Sequence, residues 1–284
     1  AVDGVTSVGG TPIRFDEWDV DFLLTGSQKA IALPPGLAFG VASDRALQRA
    51  TQIPARSFYF DLLAFDRRAR EYQTTNTPAV SLFYALDRQL ARIKAEGLGA
   101  RFDRHASMAA RTEAWVDELR AKLGSGFGIL ASPGYRSPTV TAVTLPESIS
   151  GTRVVASVKS RGFTIAPGYG ELKDRCIRIG HMGDHTLDEL EVLLTVVGEE
   201  LTFRLGVQNY FAGLFGRGAA GYRAAIVLSS ALWSLGHIGQ VDPEWVKFAQ
   251  IFPVGLALGW LFRRSGFEAC VIAHGVLNLV MPWL

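Results

Sequence analysis

The sequence predicts an α/β body followed by an all-α transmembrane helical core, and two patterns predict it. The first is charge. The chain has 284 residues with 29 basic and 27 acidic side chains; 45 of these lie among the 198 residues up to Gly198 and 11 among the 86 from Glu199 onward. Charge density therefore halves at one place, which marks a domain boundary. The second is periodicity. Strand-like and helix-like segments mix before that place, and long apolar runs follow it. The division is set at 197/198, giving one domain over 1–197 and another over 198–284. A net charge of +2 offers no footprint for nucleic acid. Two cysteines, Cys176 and Cys270, build neither a disulfide framework nor a zinc spacing.

The elements follow in chain order. "AVDGVTSV" alternates like a strand and ends in Gly-Gly. It carries no Met and no basic n-region, so no signal peptide is expected, and the true start is expected upstream. "DVDFLLTGSQ" and "LAFGVAS" read as two more strands. "SLFYALDRQLARIKAEG" spaces Leu82, Ala85, Leu86, Leu90 and Ile93 for a helix stopped by Gly97. "RHASMAARTEAWVDELRAKLG" is a second helix, stopped by Gly124. "TVTAVTLP" and "CIRIGHMG" are strands around the helix "ISGTRVVASVKSRG". "TLDELEVLLTVV" closes the body with Leu187, Leu190, Leu193, Leu194 and Val197 on one stripe.

Chemistry enters at "TGSQKAIALPPG", which places Lys29 just after an apolar strand and before a Pro-Pro-Gly turn. A lysine beside a buried site shifts toward the neutral amine, the form that attacks carbonyls. Asp3 lies 26 residues earlier on the neighbouring strand candidate. A Schiff-base lysine and an aspartate for a pyridinium nitrogen form the minimum pyridoxal-phosphate (PLP) constellation. On spacing alone, a solvated surface lysine explains Lys29 equally.

"AVDGVTSVGG", "TGSQKAIALPPG", "EYQTTNTPAVSLFYAL" and "CIRIGHMGD" stand in the order and spacing of class V aminotransferases, and the chain resembles the alanine/serine–glyoxylate type over residues 1 to about 197. The resemblance implies a PLP fold-type-I fragment, a partial large domain plus a small C-terminal domain. It implies Lys29 as the lysine that carries PLP and moves the Cα proton, and Asp3 facing the pyridine nitrogen. Gln28 would lie beside the ring, and Arg178 would fork onto a substrate carboxylate. Tyr72 and Thr75 match a Tyr-x-x-Thr that reaches the phosphate of the neighbouring subunit in a homodimer. An extra residue between Thr75 and Pro78 departs from the pattern. In that family the aspartate strand lies near mid-chain, so half of the cofactor site and several strands are expected before Ala1, and weak retention of PLP with them. The implied partners are a small amino acid and a 2-oxo acid, and the parent family places this part in the cytoplasm.

From Glu199 the chain changes. "AAGYRAAIVLSSALWSLGHIG", "WVKFAQIFPVGLALGWLF" and "GFEACVIAHGVLNLVMPWL" each hold one charge, Arg223, Lys247 and Glu268. Runs of about 20 apolar residues are membrane candidates, and a buried soluble helix pair is the alternative. Four spans are expected, over about 190–215, 219–239, 245–262 and 267–284, with alternating basic and acidic loops that suit a multi-pass membrane protein. Glu199, Glu200, Arg204, His237, His274 and Asn278 are the costly polar groups within them. "EELTFR", "WSLGH" and "HGVLN", in that order, resemble the core of the CAAX-protease and bacteriocin-processing (CPBP) intramembrane proteases. That resemblance implies Glu199 as the base on a water, with His237, His274 and Asn278 completing the site and Glu200 and Arg204 in support. A divalent metal on Glu199, His237 and His274 and a metal-free glutamate mechanism both fit, and the implied partners are membrane lipid and a membrane-protein or peptide substrate. Trp233 stands where Phe is common. "GEEL" suits the end of one family and the start of the other, so the chain reads as two genes joined there. Three outcomes stay open: a working transaminase module fused to a peptidase core, the peptidase as the only active module, and an inactive chimeric or misassembled product.

Overall fold

The computed structural model describes residues 1–54, 56–199, 201–202, 207–216, 218–235, 245, 249, 251–261 and 263–264. They form two compact units. One comprises 1–109, 137–140 and 181–187; the other comprises 110–136, 141–180 and the described residues of 188–284. The drop in charge near 197/198 thus falls inside the second unit.

The first unit is built on a three-stranded sheet ordered β1-β2-β3, from β1 (Val2–Asp3), β2 (Phe22–Gly26) and β3 (Ala38–Ala42). β1 runs parallel to β2 with Asp3 opposite Leu24, and β3 runs antiparallel to β2. β2 and β3 sit where the alternating segments predict them, whereas of "AVDGVTSV" only Val2–Asp3 is strand and 5–10 form turns. Helices α1 (Asp44–Thr51) and α2 (Leu62–Arg70) follow. They bury no side chain, so they have no apolar stripe to read. Their signals are caps instead: Ser43 accepts from the Ala46 amide and Asp61 from the Leu63 amide. α3 (Val80–Glu96) ends at Gly97, whose φ of 85° is a left-handed stop. α4 (Leu98–Leu123) begins at the next residue, six residues before the start that its apolar spacing suggests.

The second unit carries a four-stranded sheet ordered β4-β5-β7-β6, from β4 (Gly128–Ile129), β5 (Val140–Thr144), β6 (Ala166–Pro167) and β7 (Cys176–Gly180). α5 (Gly151–Ser160) starts at Ser150, whose hydroxyl accepts from the Arg153 amide and donates to Asp174. Its Val154 and Val158 join Val143, Ile177 and Ile179 in a core without solvent exposure. α6 (Leu187–Glu199) buries Leu190, Leu193, Leu194 and Val197 as its periodicity requires, while Leu187 is exposed.

α6 is described as an α-helix to Glu199; Leu201, Thr202 and Val207 take π-helical geometry ahead of α7 (Gln208–Leu214). α8 (Ala219–Leu235) packs on α7, and residues 251–261 are helical. Gly255 and Gly259 let that last helix close on α8. A Cβ at Gly255 would meet Ser230 at 2.9 Å and Trp233 at 3.2 Å, and one at Gly259 would meet Ile226 at 2.7 Å. Small residues four apart are a device for close helix approach. Among the described residues, no helix is long and apolar enough to cross a membrane. α8 has 17 residues of the expected span 219–239, and 236–240 lie outside the described residues, as does the whole expected span 267–284.

Candidate active site

The sheet of the first unit gathers three of the predicted residues. Asp3 ends β1 and pairs with Leu24 of β2. Paired residues share a face of a sheet, and so do residues two apart on one strand; Asp3, Leu24 and Gly26 therefore share one face. Over Gly26 lies the amide of Gln28, so near that a Cβ at position 26 would stand 2.7 Å from its Oε1. Lys29 follows in the turn. Asp3, Gln28 and Lys29 are all exposed to solvent. The Asp3 carboxylate accepts from the Val5 amide at 2.9 Å, which fixes its orientation.

Ser27 ties the lysine turn from within. It has no exposed surface, donates through its hydroxyl to the Pro34 carbonyl at 2.7 Å, and accepts from the Leu37 amide at 3.2 Å. Around it lies a polar cluster that the sequence did not single out. Arg101 of α4, 1% exposed, donates from Nη2 to the Ala30 carbonyl at 2.8 Å, from Nε to the Gly9 carbonyl at 3.2 Å, and from Nη1 to Glu96 at 2.7 Å and Asp184 at 3.1 Å. One turn on, the buried His105 sets Nδ1 against the Gly10 carbonyl at 3.0 Å and Nε2 against the Gly183 carbonyl at 3.1 Å. Arg104 donates to Glu96, to the Gly183 carbonyl and to the His185 carbonyl. Gln89 donates to both oxygens of Asp184. Burial raises the Asp184 and Glu96 pKa values. Hydrogen bonds and arginine charge outweigh it, from Gln89, Arg101 and Arg92 at Asp184 and from Arg101 and Arg104 at Glu96, so both carboxyls fall below their ordinary values.

These bonds join "AVDGVTSVGG", "TGSQKAIALPPG" and the "HMGD" loop into one assembly. Two glycines make the approach feasible. A Cβ at Gly10 would meet Ala30 at 3.1 Å and Thr139 at 2.5 Å; one at Gly183, with φ of 79°, would meet Ala32 at 3.1 Å. Nearby, the buried His181 packs its Nδ1 against the Pro138 carbonyl at 3.1 Å, and desolvation pushes its pKa down to about 4.

Tyr72 is wholly exposed at a φ of 55°, and Thr75 accepts from the Asn76 side chain. Both belong to the first unit. Arg178 lies on β7 in the second unit, half-buried; its Nε donates to the Pro167 carbonyl at 2.9 Å and its guanidinium lies 5.4 Å from the centre of the Tyr169 ring. Among the described residues no carboxylate pairs with it, so the two terminal nitrogens form an available fork.

Of the predicted protease residues, Glu199 is the one described. It ends α6, and Arg161 at the C-cap of α5 donates to it at 3.0 Å while also reaching the Val196 carbonyl. Glu200, Arg204, His237, His274 and Asn278 lie outside the described residues. Among the described residues there is no cluster of His, Cys, Asp and Glu able to hold a metal.

Comparison with known proteins follows the same division. The family described as Aminotransferase class-V matches residues 1–169, and the family described as Type II CAAX prenyl endopeptidase Rce1-like matches residues 190–280. A soluble hydrogenase small subunit of Synechococcus sp. is 35% identical over 233 residues, 81% of this chain and 57% of its own length. The serine–glyoxylate aminotransferase of Methylorubrum extorquens is 33% identical over 211 residues, 71% of this chain and 50% of its own. The crystal structure of an alanine–glyoxylate aminotransferase from Nostoc sp. superposes with a TM-score of 0.64 at 27% identity, covering 70% of this chain and 53% of that one. The chain spans about half the length of the curated relatives it matches. With the family's pattern over more than half of its residues and its motifs assembled around one lysine turn, the chain belongs to the class-V aminotransferases, a pyridoxal-phosphate family.

Proposed function

We propose that residues 1–197 form the lysine-bearing part of a transaminase that moves an amino group between a small amino acid, such as alanine or serine, and glyoxylate or another 2-oxo acid. The observation that carries this reading is the pairing of Asp3 with β2, the strand that delivers Gly26, Gln28 and Lys29 on its exit. The donor set suits PLP: an amine for its aldehyde and a carboxylate for its ring nitrogen, both exposed to solvent, with the Gln28 amide over Gly26. When bound, PLP supplies an electron sink for the substrate Cα. Lys29 would hold the cofactor through its aldehyde group and would take and return the substrate Cα proton. Asp3, its carboxylate held by the Val5 amide, keeps the ring nitrogen protonated. Gln28 donates beside the ring. Arg178 would present its two terminal nitrogens to the substrate carboxylate, with Nε already committed to Pro167 and the Tyr169 ring centre 5.4 Å from its guanidinium carbon. The exposed Tyr72, with Thr75, serves a second subunit's phosphate site in a homodimer.

The test is borohydride reduction of the chain mixed with PLP. The expected result is a pyridoxyl mass on the peptide holding Lys29, lost in Lys29→Arg and weakened in Asp3→Asn. A label spread evenly over the lysines would reject the site.

The match over 190–280 favours a second activity for the module 198–284: a membrane-embedded, multi-pass peptidase core with Glu199, His237, His274 and Asn278 as its site, Glu200 and Arg204 in support, and a divalent metal on Glu199, His237 and His274 or none. Low charge density and the closely packed Gly255 and Gly259 support that reading. Peptidase activity in a membrane fraction that survives Glu199→Gln would reject it.

A further inference from the structure

The lysine turn poses a positioning problem. Lys29 lies beyond the end of β2, so no ladder bond holds it, and its own carbonyl accepts only within the turn, from the Ala32 amide at 2.8 Å. Asp3 ends a strand of two residues. A reaction that needs an amine and a carboxylate at opposite ends of one small ring needs both held to within a fraction of an ångström. Something outside the sheet has to fix the distance between them.

We propose that Arg101 is the positioning residue for Lys29. The inference rests on the reading of Lys29 as the lysine that takes PLP. One planar group grips the Ala30 carbonyl directly after Lys29, the Gly9 carbonyl in the turn that follows the Asp3 strand, and the Asp184 carboxylate in the "HMGD" loop. Glu96 accepts from the same Nη1 that donates to Asp184. These bonds leave three chain segments, distant in sequence, with one common partner. The group is rigid, so its spacings are passed on to the segments. His105 repeats the bridge one turn further along α4, from Gly10 to Gly183. Gly183 and Gly10 approach Ala32 and Ala30 closely enough that a Cβ at either would stand 3.1 Å from the alanine. Arg101 touches neither reacting group and acts through the backbone of both.

A lysine at 101 keeps the positive charge that Asp184 and Glu96 need but cannot span the Ala30 and Gly9 carbonyls with a fork. That separates positioning from charge balance. The experiment treats the full chain and Arg101→Lys with PLP and borohydride, and measures pyridoxyl label on Lys29 against label on Lys94 by peptide mass spectrometry, across pH. Lys94 lies in the same unit on an exposed part of α3 and reports general lysine reactivity. Loss of stability alone, well below the melting temperature, leaves the ratio and its pH profile unmoved. The expected result is a preference for Lys29 in the unaltered chain that falls about tenfold in Arg101→Lys, with the pH profile of labelling changed at Lys29 and unmoved at Lys94. Asp184→Asn, which keeps an acceptor oxygen and removes the charge that aims Nη1, is expected to lower the ratio in the same direction by a smaller factor, and it decides the matter where Arg101→Lys does not fold. A folded Arg101→Lys with an unchanged ratio and profile overturns the positioning role, as does an unchanged Asp184→Asn in its place. Absence of any Lys29 preference in the unaltered chain instead overturns the PLP reading of Lys29 itself.

Discussion

Ser27 shows how much a single hydroxyl can hold. Its two hydrogen bonds close the turn from Ser27 to Leu37 around Lys29, and it has no access to water. Ser27→Ala leaves the Pro34 carbonyl and the Leu37 amide short of partners, at a cost of ~1–3 kcal/mol. Thermal melts should show the loss, and Lys29 labelling by PLP should fall with it; a melt unchanged within error would reject the account. His181 makes a prediction about pH. The unfolded chain protonates this residue below its ordinary 6.5, whereas burial delays protonation in the fold until about 4. Stability is therefore full above pH 6.5 and falls as pH drops toward 4, by at most about 1.4 kcal/mol per pH unit. Urea midpoints between pH 7 and 4.5 should carry this slope, and His181→Gln should flatten it. Asp184 and Glu96, whose carboxyls sit below their ordinary values of 3.8 and 4.5, give up stability only at lower pH. At this scale the sequence names its candidates where chemistry and motif coincide, as at Asp3, Gln28 and Lys29. It was silent on Ser27, Arg101 and His105. Their importance comes from burial, and a serine, an arginine and a histidine carry no burial signal of their own.

α4 explains that silence. Its buried stripe runs through Arg101, His105, Met108, Thr112, Trp115, Val116 and Leu119, with the right helical spacing throughout. The first two members are polar, so apolar periodicity finds the helix only from their C-terminal side, and the start is read at Arg104 rather than Leu98. From Met108 onward the stripe is apolar except at Thr112. α5 and α6 show a second case. Arg161, 9% exposed at its side chain, caps the exchange between them by binding Glu199 and the Val196 carbonyl. Arg161→Ala should cost ~1–3 kcal/mol, since a partly buried carboxylate loses its partner; a loss below 0.5 kcal/mol in denaturant melts would make the pair a surface one.

At the scale of the whole molecule, the change of composition at 197/198 and the division into compact units are separate facts. Charge density is a property of sequence and marks a change of family, in step with the two matches at 1–169 and 190–280. Compact units follow contacts, and α6 with the described residues beyond it packs with 110–136 and 141–180. The proposed membrane module predicts that the full chain stays with the membrane fraction through carbonate extraction; release into the supernatant would count against it. The sequence by itself determined the α/β class, strands β2 and β3 of the first sheet, and the family, because strand alternation and motif spacing are local patterns. Tertiary structure alone decided which side chains hold those motifs together. Arg101 meets Gly9, Ala30 and Asp184 across 92, 71 and 83 residues of chain. No window of sequence contains such a set, and burial, which turns a surface arginine into the centre of three loops, exists only once the chain has closed around it.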